Sequence, residues 1–116
     1  TGWFYIGMKL GWLRAKKYLL FMAQHPNFDL CEAGLWGLHE MYENDGFPPD
    51  VQNIVHAMIY HFNDVAISML LKLGDEAVQE EIRAIANDDG VNGAWPGWFP
   101  DQVREVIDVH DRQNEI

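Results

Sequence analysis

The sequence predicts an all-α fold, with four to five helices packed around a central apolar helix at about residues 50–73. Apolar residues in that stretch recur every three or four positions, which places them along one side of a helix. Four such segments begin at an aspartate, the residue type favoured at helix N-caps. Short runs rich in glycine or proline separate the segments. The 116 residues, 48% of them hydrophobic, are predicted to form one domain over 1–116.

The N-terminal segment is predicted to be a helix, although residues 3–6 have strand propensity. The pattern over 8–23 favours a helix, where three leucines share one side: Leu10, Leu13 and Leu20. A stripe of small residues also recurs every four positions and would allow close packing against the central helix: Gly7, Gly11 and Ala15.

The central helix is predicted to begin at the N-cap Asp50 and to end at Gly74. Its apolar stripe has seven members: Val51, Val55, Met58, Phe62, Val65, Met69 and Leu73. Three further helices are predicted to begin at Asp29, Asp75 and Asp101, and the first of these is predicted to end near residue 44. Their inward residues are Leu30, Leu35, Leu38 and Met41 in the first, Val78, Ile82 and Ile85 in the second, and Val103, Val106 and Ile107 in the third.

Charge is distributed unevenly along the chain. Eight basic and eighteen acidic residues give a net charge of −10. A basic segment, 1–28, carries +4 and no acidic residue, whereas the acidic body, 29–116, carries −14. This excess of carboxylates argues against direct nucleic-acid binding through phosphates. No uncharged run of the length of a transmembrane helix occurs, so no transmembrane segment is predicted.

The sequence contains no convincing catalytic constellation and no cofactor motif, so no enzyme is predicted. Cys31 is the only cysteine and excludes an internal disulfide, which suits a reducing, cytoplasmic setting. Its position in a first helical turn would lower the thiol pKa, but a lone cysteine is more often part of the core. Ser68, the only serine, has no flanking glycines and fits no hydrolase motif.

A metal-binding helical enzyme or carrier is one alternative. Its ligands would come from His39, Glu43, His56, His61 and Asp64. A helix brings residues four apart onto one face, which suits His39 with Glu43. His56 and His61 are five apart, about 140° around a helix, and do not suit a shared ion. The Glu-x-x-His pairs of helical di-iron sites are absent.

Two sets of residues are candidate partner-binding sites. Glu32, Trp36, His39 and Glu43 fall on one face of the predicted second helix, with Glu40 beside it. The residues expected to contact a partner there are Glu32, Trp36, Glu40 and Glu43. Trp36 either packs under a neighbouring segment or acts as an interface anchor. Trp95 and Trp98 lie in a stretch rich in glycine and proline, 91–100, which either closes one end of the bundle or presents aromatic side chains to a partner.

These features predict a small acidic protein-binding inhibitor, of the antitoxin, immunity or anti-defence type. Its negative face would steer it onto a basic surface of a partner protein, including a nucleic-acid-binding cleft, and its aromatic residues would hold it there. A second alternative is a structural, self-assembling subunit in which the basic segment of one copy pairs with the acidic body of another. The sequence allows such a homo-oligomer.

Overall fold

All regular elements that the structure describes are α-helices, which confirms the predicted all-α class. The structure is a computed structural model that describes residues 2–87 and 95–114, with side chains from Gly11 onward except at positions 63 and 114. The helices are α1 (Gly2–Ala23), α2 (Phe28–Met41), α3 (Pro49–His56), α4 (Asn63–Leu73), α5 (Glu76–Ala86) and α6 (Trp98–Asn114). They form two compact units, Thr1–Glu43 and Asn44–Ile116. The single domain over 1–116 stays a prediction.

The first unit is an antiparallel hairpin of α1 and α2. Its helices approach closely because two glycines of α2 face α1: a Cβ on Gly34 would lie 2.5 Å from the backbone nitrogen of Ala23, and one on Gly37 would meet the Leu19 side chain. Asn27 caps α2, since its side-chain oxygen accepts a hydrogen bond from the Leu30 amide at 3.1 Å. The fully buried side chains of the hairpin include Ala23, Leu35 and Leu38.

Several expectations for the first unit are corrected. Asn27, not Asp29, is the N-cap of α2, and α2 ends at Met41 rather than near residue 44. Leu30 was predicted to face inward but is exposed, because the α1–α2 contact lies on another side of α2. Leu13, from the side of α1 on which the sequence placed three leucines, is exposed as well. Gly11 makes no close approach, since a Cβ there would have open space around it. The structure does not describe the surroundings of Gly7 or of the Leu10 side chain.

The second unit is built from α3 to α6 around an apolar core. Its most completely buried side chains are Val51, Val55, Ile67, Met69, Leu70, Ile82, Phe99 and Val103. Asp75 caps α5 as predicted: its carboxylate accepts a hydrogen bond from the Val78 amide at 2.9 Å. Gln52 of α3 completes this cap, because its amide nitrogen donates to the Asp75 carboxylate and its oxygen accepts from the Asp75 backbone amide.

The stretch predicted as one central helix, 50–73, forms two helices, α3 and α4, joined by a turn at 57–62. In this turn the Met58 and Ile59 amides bond three residues back, to Val55 and His56, instead of four. The turn buries Ile59 in the core and places the Tyr60 ring 5.5 Å from that of Phe99. Aromatic packing therefore overrides an apolar period that continues without a helix-breaking residue.

Two predicted caps of the second unit are also corrected. Pro48 occupies the N-cap of α3, so Asp50 lies inside the first turn. The last helix begins at Trp98, and Asp101 lies within it, paired with Arg104 at 2.8 Å. Both aspartates still lie in the first turn of a helix, where the positive end of the helix dipole stabilises a negative charge. Among the described residues, no helix has the length and hydrophobicity that spanning a bilayer requires.

Candidate functional site

One candidate surface, the α2 acidic face, consists of Glu32, Trp36, Glu40 and Glu43. Trp36 is 50% exposed, so it is not a covered core residue. It lies on the side of α2 that carries Glu32 and Glu40, away from the side that packs on α1 through Gly34. The structure thus keeps Trp36 accessible beside carboxylates instead of packing it under a neighbouring segment.

His39 orders the Trp36 side chain. The two rings meet edge to face, with centroids 5.6 Å apart and planes 75° apart. Such aromatic contacts favour one ring orientation without removing the indole from solvent. Trp36 is therefore partly preorganised, which reduces the conformational entropy that a partner would have to immobilise on binding.

Glu43 lies beyond the end of α2. The helix ends at Met41 with Tyr42 as its C-cap, so Glu43 belongs to the following turn rather than to a fourth helical turn. Tyr42 is held against α1 by an edge contact with Trp12 and by the Lys16 ammonium, 5.9 Å from its ring centre. These contacts hold the C-terminal end of α2 against α1 and so fix the backbone position of the next residue, Glu43.

Two carboxylates of the α2 acidic face form no ion pair within the described hairpin, those of Glu32 and Glu40. Residues 1–43 contain four basic and four acidic residues, with the basic ones on α1 and the acidic ones from position 29 onward. The hairpin is therefore neutral overall but electrically polarised. Residues 44–116 carry fourteen acidic and four basic residues and the whole net charge of −10.

A second candidate surface is the aromatic cluster of the second unit: Tyr60, Trp95, Trp98 and Phe99. The Tyr60 ring contacts the other three, with centroids 6.4 Å from Trp95, 5.6 Å from Trp98 and 5.5 Å from Phe99. The Phe99 ring also contacts both tryptophans, at 4.8 and 5.8 Å. Phe99 is fully buried and closes the core, whereas Trp98 is 52% exposed. Within one cluster, Phe99 therefore belongs to the core, whereas Trp98 remains accessible to solvent. Residues 91–94 of the predicted loop lie outside the described residues.

A groove of about 260 Å³ runs between α4 and α6 of the second unit. Its lining residues are Asp64, Ser68, Gln102, Glu105, Val106 and Val109. The Gln102 amide nitrogen donates a hydrogen bond to the Asp64 carboxylate across the groove. Asp64 is thus part of a helix–helix contact in the second unit.

The alternative metal ligands are not gathered into one site. Among the described residues, no group of three or more histidine, cysteine, aspartate or glutamate side chains could hold an ion. His56 is 3.0 Å from the Glu81 carboxylate, which connects α3 to α5. His61 lies in the turn before α4 and packs its ring edge on Tyr60. The prediction that His56 and His61 share a helix is therefore wrong.

Cys31 is a core residue rather than an exposed nucleophile. Its side chain is buried, and its thiol donates to the Ala23 carbonyl oxygen of α1 at 3.1 Å. Burial raises the pKa of this thiol, because the thiolate would lose its hydration. The lowering expected from its position in the first turn of α2 is therefore outweighed.

Sequence reasoning missed Tyr60 because it lies in the stretch assigned to one helix. It also missed the outer side of α1, where aromatic and basic side chains are exposed together. An available signal was the complete absence of acidic residues from 1–28. No protein-family model, no curated protein and no solved structure matches the chain. Its function must therefore be inferred from the chemistry of these surfaces.

Proposed function

We propose that this protein is a recognition protein that binds a basic surface of a partner protein and occludes it. The observation that carries the proposal is the exposure of Trp36 between Glu32 and Glu40 on α2. Tryptophan is among the residue types most enriched at energetic hot spots of interfaces. Carboxylates around such an anchor select a cationic partner and exclude an anionic one, because like charges across an interface are costly.

Long-range electrostatics support the same partner chemistry. The net charge of −10 attracts a basic surface over about 10 Å at moderate ionic strength and accelerates encounter. Short-range contact with Trp36 would then determine how long the complex lasts. An inhibitor of the antitoxin, immunity or anti-defence type in the cytoplasm is the class that this combination fits, with a nucleic-acid-binding cleft as the blocked surface.

The aromatic cluster supplies a second candidate contact. Trp98 presents about half of its surface, and the ring of Tyr60 supports it from one side. Trp95 is partly buried and stacks on Tyr60, so it stabilises the cluster and exposes a smaller area than Trp98. Within this set Trp98 is therefore the stronger candidate for direct partner contact.

The decisive experiment uses the purified protein as bait in a lysate of its source organism, at low and then at moderate salt. The expected result is one basic protein bound in stoichiometric amount. Reversing two charges of the α2 acidic face, with Glu40→Lys and Glu43→Lys, should remove it. A control with the same change of net charge, Glu80→Lys with Asp108→Lys, should retain it, since these exposed residues lie on α5 and α6.

Two results would contradict the proposal. If the bait captures no protein at low or at moderate salt, the lysate contains no partner of the proposed kind. A partner lost equally from the α2 variant and from the control is attracted by net charge alone, because both variants change the charge by the same amount. Circular dichroism of each variant checks that the helices are intact.

A further inference from the structure

The outer side of α1 is an exposed surface that combines basic and apolar side chains. This α1 basic face consists of Leu13, Arg14, Lys17, Tyr18 and Phe21. Tyr18 is 71% exposed, Phe21 64% and Leu13 54%. The α1 basic face lies opposite the side of α1 on which Leu19 and Ala23 contact α2. Large apolar side chains exposed together in this way indicate a surface that another molecule covers.

The shape of this face suits a second helix. Two shallow depressions, of about 520 and 450 Å³, lie along it and share Lys17 and Phe21. A ridge of side chains between two grooves is the surface on which helices pack. Within the described part of the chain, neither Arg14 nor Lys17 has a carboxylate partner. An occupant should therefore be helical and acidic and should carry an aromatic or apolar side chain.

The α2 acidic face meets each of these requirements. On α1, Arg14, Lys17 and Phe21 are spaced by three and then four residues. On α2, read in the opposite direction, the positions are 43, 40 and 36, with the same spacing. Two antiparallel helices would thus place Lys17 level with Glu40 and Phe21 level with Trp36, with Arg14 next to the turn that carries Glu43.

We propose that the α1 basic face of one copy binds the α2 acidic face of a second copy of this chain. The inference rests on the proposed function in that it uses the same α2 acidic face. It adds a definite cationic surface for that face to bind. The Lys17–Glu40 contact supplies charge complementarity, and the Phe21–Trp36 contact supplies buried aromatic area.

The hairpin itself already uses this helix register. Inside one copy, Gly34 lies against Ala23. Counting two residues along each helix in opposite directions reaches Trp36 and Phe21, and four more reach Glu40 and Lys17. Pairing between copies therefore repeats the intramolecular register on the other sides of the helices. Copies would add side by side without an axial shift, in a head-to-tail interface that forms a ring or a chain.

A second copy is favoured over an anionic membrane as the occupant. Basic helices with exposed aromatic side chains do bind anionic lipid surfaces. Here, however, residues 44–116 carry a charge of −10, which such a surface would repel. Pairing with α2 places Lys17 beside Glu40, which has no basic partner among the described residues of its own hairpin.

The test measures the mass of the protein alone by light scattering over a range of concentrations. At about 50 mM salt the mass should rise with concentration to at least twice that of the monomer, and at about 500 mM it should fall back. Arg14→Glu with Lys17→Glu should stay monomeric, and so should Glu40→Lys with Glu43→Lys. The control Lys72→Glu with Arg112→Glu matches the first variant in charge change but lies outside the hairpin, and it should assemble like the parent protein.

Mixing provides the sharpest part of the test. The α1 variant and the α2 variant, each monomeric alone, should form a complex when combined in equal amounts. The unchanged α1 of one then meets the unchanged α2 of the other. A parent protein that stays monomeric at low salt would overturn the inference, and so would a mixture that fails to assemble although the parent protein does.

Two further results separate this inference from its competitors. Vesicles containing phosphatidylserine should not bind the monomeric protein, and binding lost with Arg14→Glu and Lys17→Glu would overturn the inference in favour of a membrane. The proposed function is tested separately, by capture of an outside partner. The α1 variant should still capture that partner, so capture by a protein that never self-associates would refute only the inference. Self-association without an outside partner would refute only the proposed function.

Discussion

Gly34 of α2 lies directly against the backbone of Ala23 in α1, so closely that a Cβ at Gly34 would be 2.5 Å from the Ala23 nitrogen and 2.9 Å from the Leu19 carbonyl oxygen. Non-bonded atoms do not approach to such distances, and backbone atoms cannot move aside as a flexible side chain can. The hairpin therefore depends on the absence of a side chain at this position. The same close approach lets the Cys31 thiol reach the Ala23 carbonyl oxygen.

Gly34→Ala should therefore destabilise the hairpin, by about 1–3 kcal/mol from forced separation of the helices. Alanine normally favours a helix over glycine by about 1 kcal/mol, so the expected loss is opposite in sign to the propensity. Urea unfolding followed by circular dichroism measures it. Gly11→Ala is the matched control, because a Cβ there has open space, and it should stabilise α1. A stabilising effect of both substitutions would show that the helices do not pack as described.

Sequence reasoning predicted the helices of this protein better than their ends. Apolar periodicity predicted a helix in each helical region but merged α3 and α4 into one. It is informative because burial of one side is what stabilises a helix in a protein. It failed at 57–62, where the apolar spacing continues although the backbone turns. No glycine or proline marks that turn, and its cause, the packing of Tyr60 on Phe99, involves residues far apart in the chain.

The candidate surfaces were predictable to a similar extent. Helical spacing placed Trp36 beside Glu32 and Glu40 without knowledge of any contact, and the structure leaves it exposed. The exposure of Leu13 could not be predicted in this way, because one helix has several apolar sides and only the position of α2 selects which is covered. Gly34 fixes that position through a packing distance that no periodicity encodes.

The aromatic cluster provides a prediction that separates stability from recognition. Phe99→Ala removes a fully buried ring and should lower the free energy of unfolding by about 3–5 kcal/mol. Trp98→Ala removes a half-exposed ring from the same cluster and should cost about 1 kcal/mol or less. Urea titration of the two variants gives both values. Equal losses would mean that Trp98 belongs to the core and is not available to a partner.

The cap of α5 predicts a pH dependence of stability. The Gln52 side chain and the Val78 amide donate hydrogen bonds to the Asp75 carboxylate and lower its pKa below the ordinary aspartate value. Because the pKa of Asp75 is lowered in the folded state, the ionised carboxylate stabilises the fold fully above the ordinary aspartate pKa. This stabilisation is lost as the pH falls through the lowered pKa. The melting temperature of Asp75→Asn should accordingly fall less than that of the parent protein over this acidic range. Parallel curves for the two proteins would contradict the assignment.

Trp36→Ala should weaken binding of the captured partner by roughly thirtyfold, as expected for a hot-spot tryptophan. The fold should be unaffected, because half of the indole surface is already in contact with water. Titration calorimetry measures the affinity, and circular dichroism measures the helix content. Leu35→Ala is a useful comparison: this fully buried neighbour should cost about 2–5 kcal/mol of stability. Loss of helix in Trp36→Ala would assign the tryptophan to the core instead.

Cys31 provides a direct probe of the hairpin, since the chain has no other cysteine. Its thiol is buried, donates to the Ala23 carbonyl oxygen, and has a pKa raised by loss of hydration. Alkylation requires both access and the thiolate, so the folded protein should react at least about tenfold more slowly than the urea-unfolded chain. Gly34→Ala should accelerate the reaction under native conditions, because it separates the helices that enclose the thiol. The control Gly11→Ala should not accelerate alkylation of Cys31. If the folded parent protein reacted as fast as the unfolded chain, the Cys31 thiol would be exposed and the described packing would be wrong.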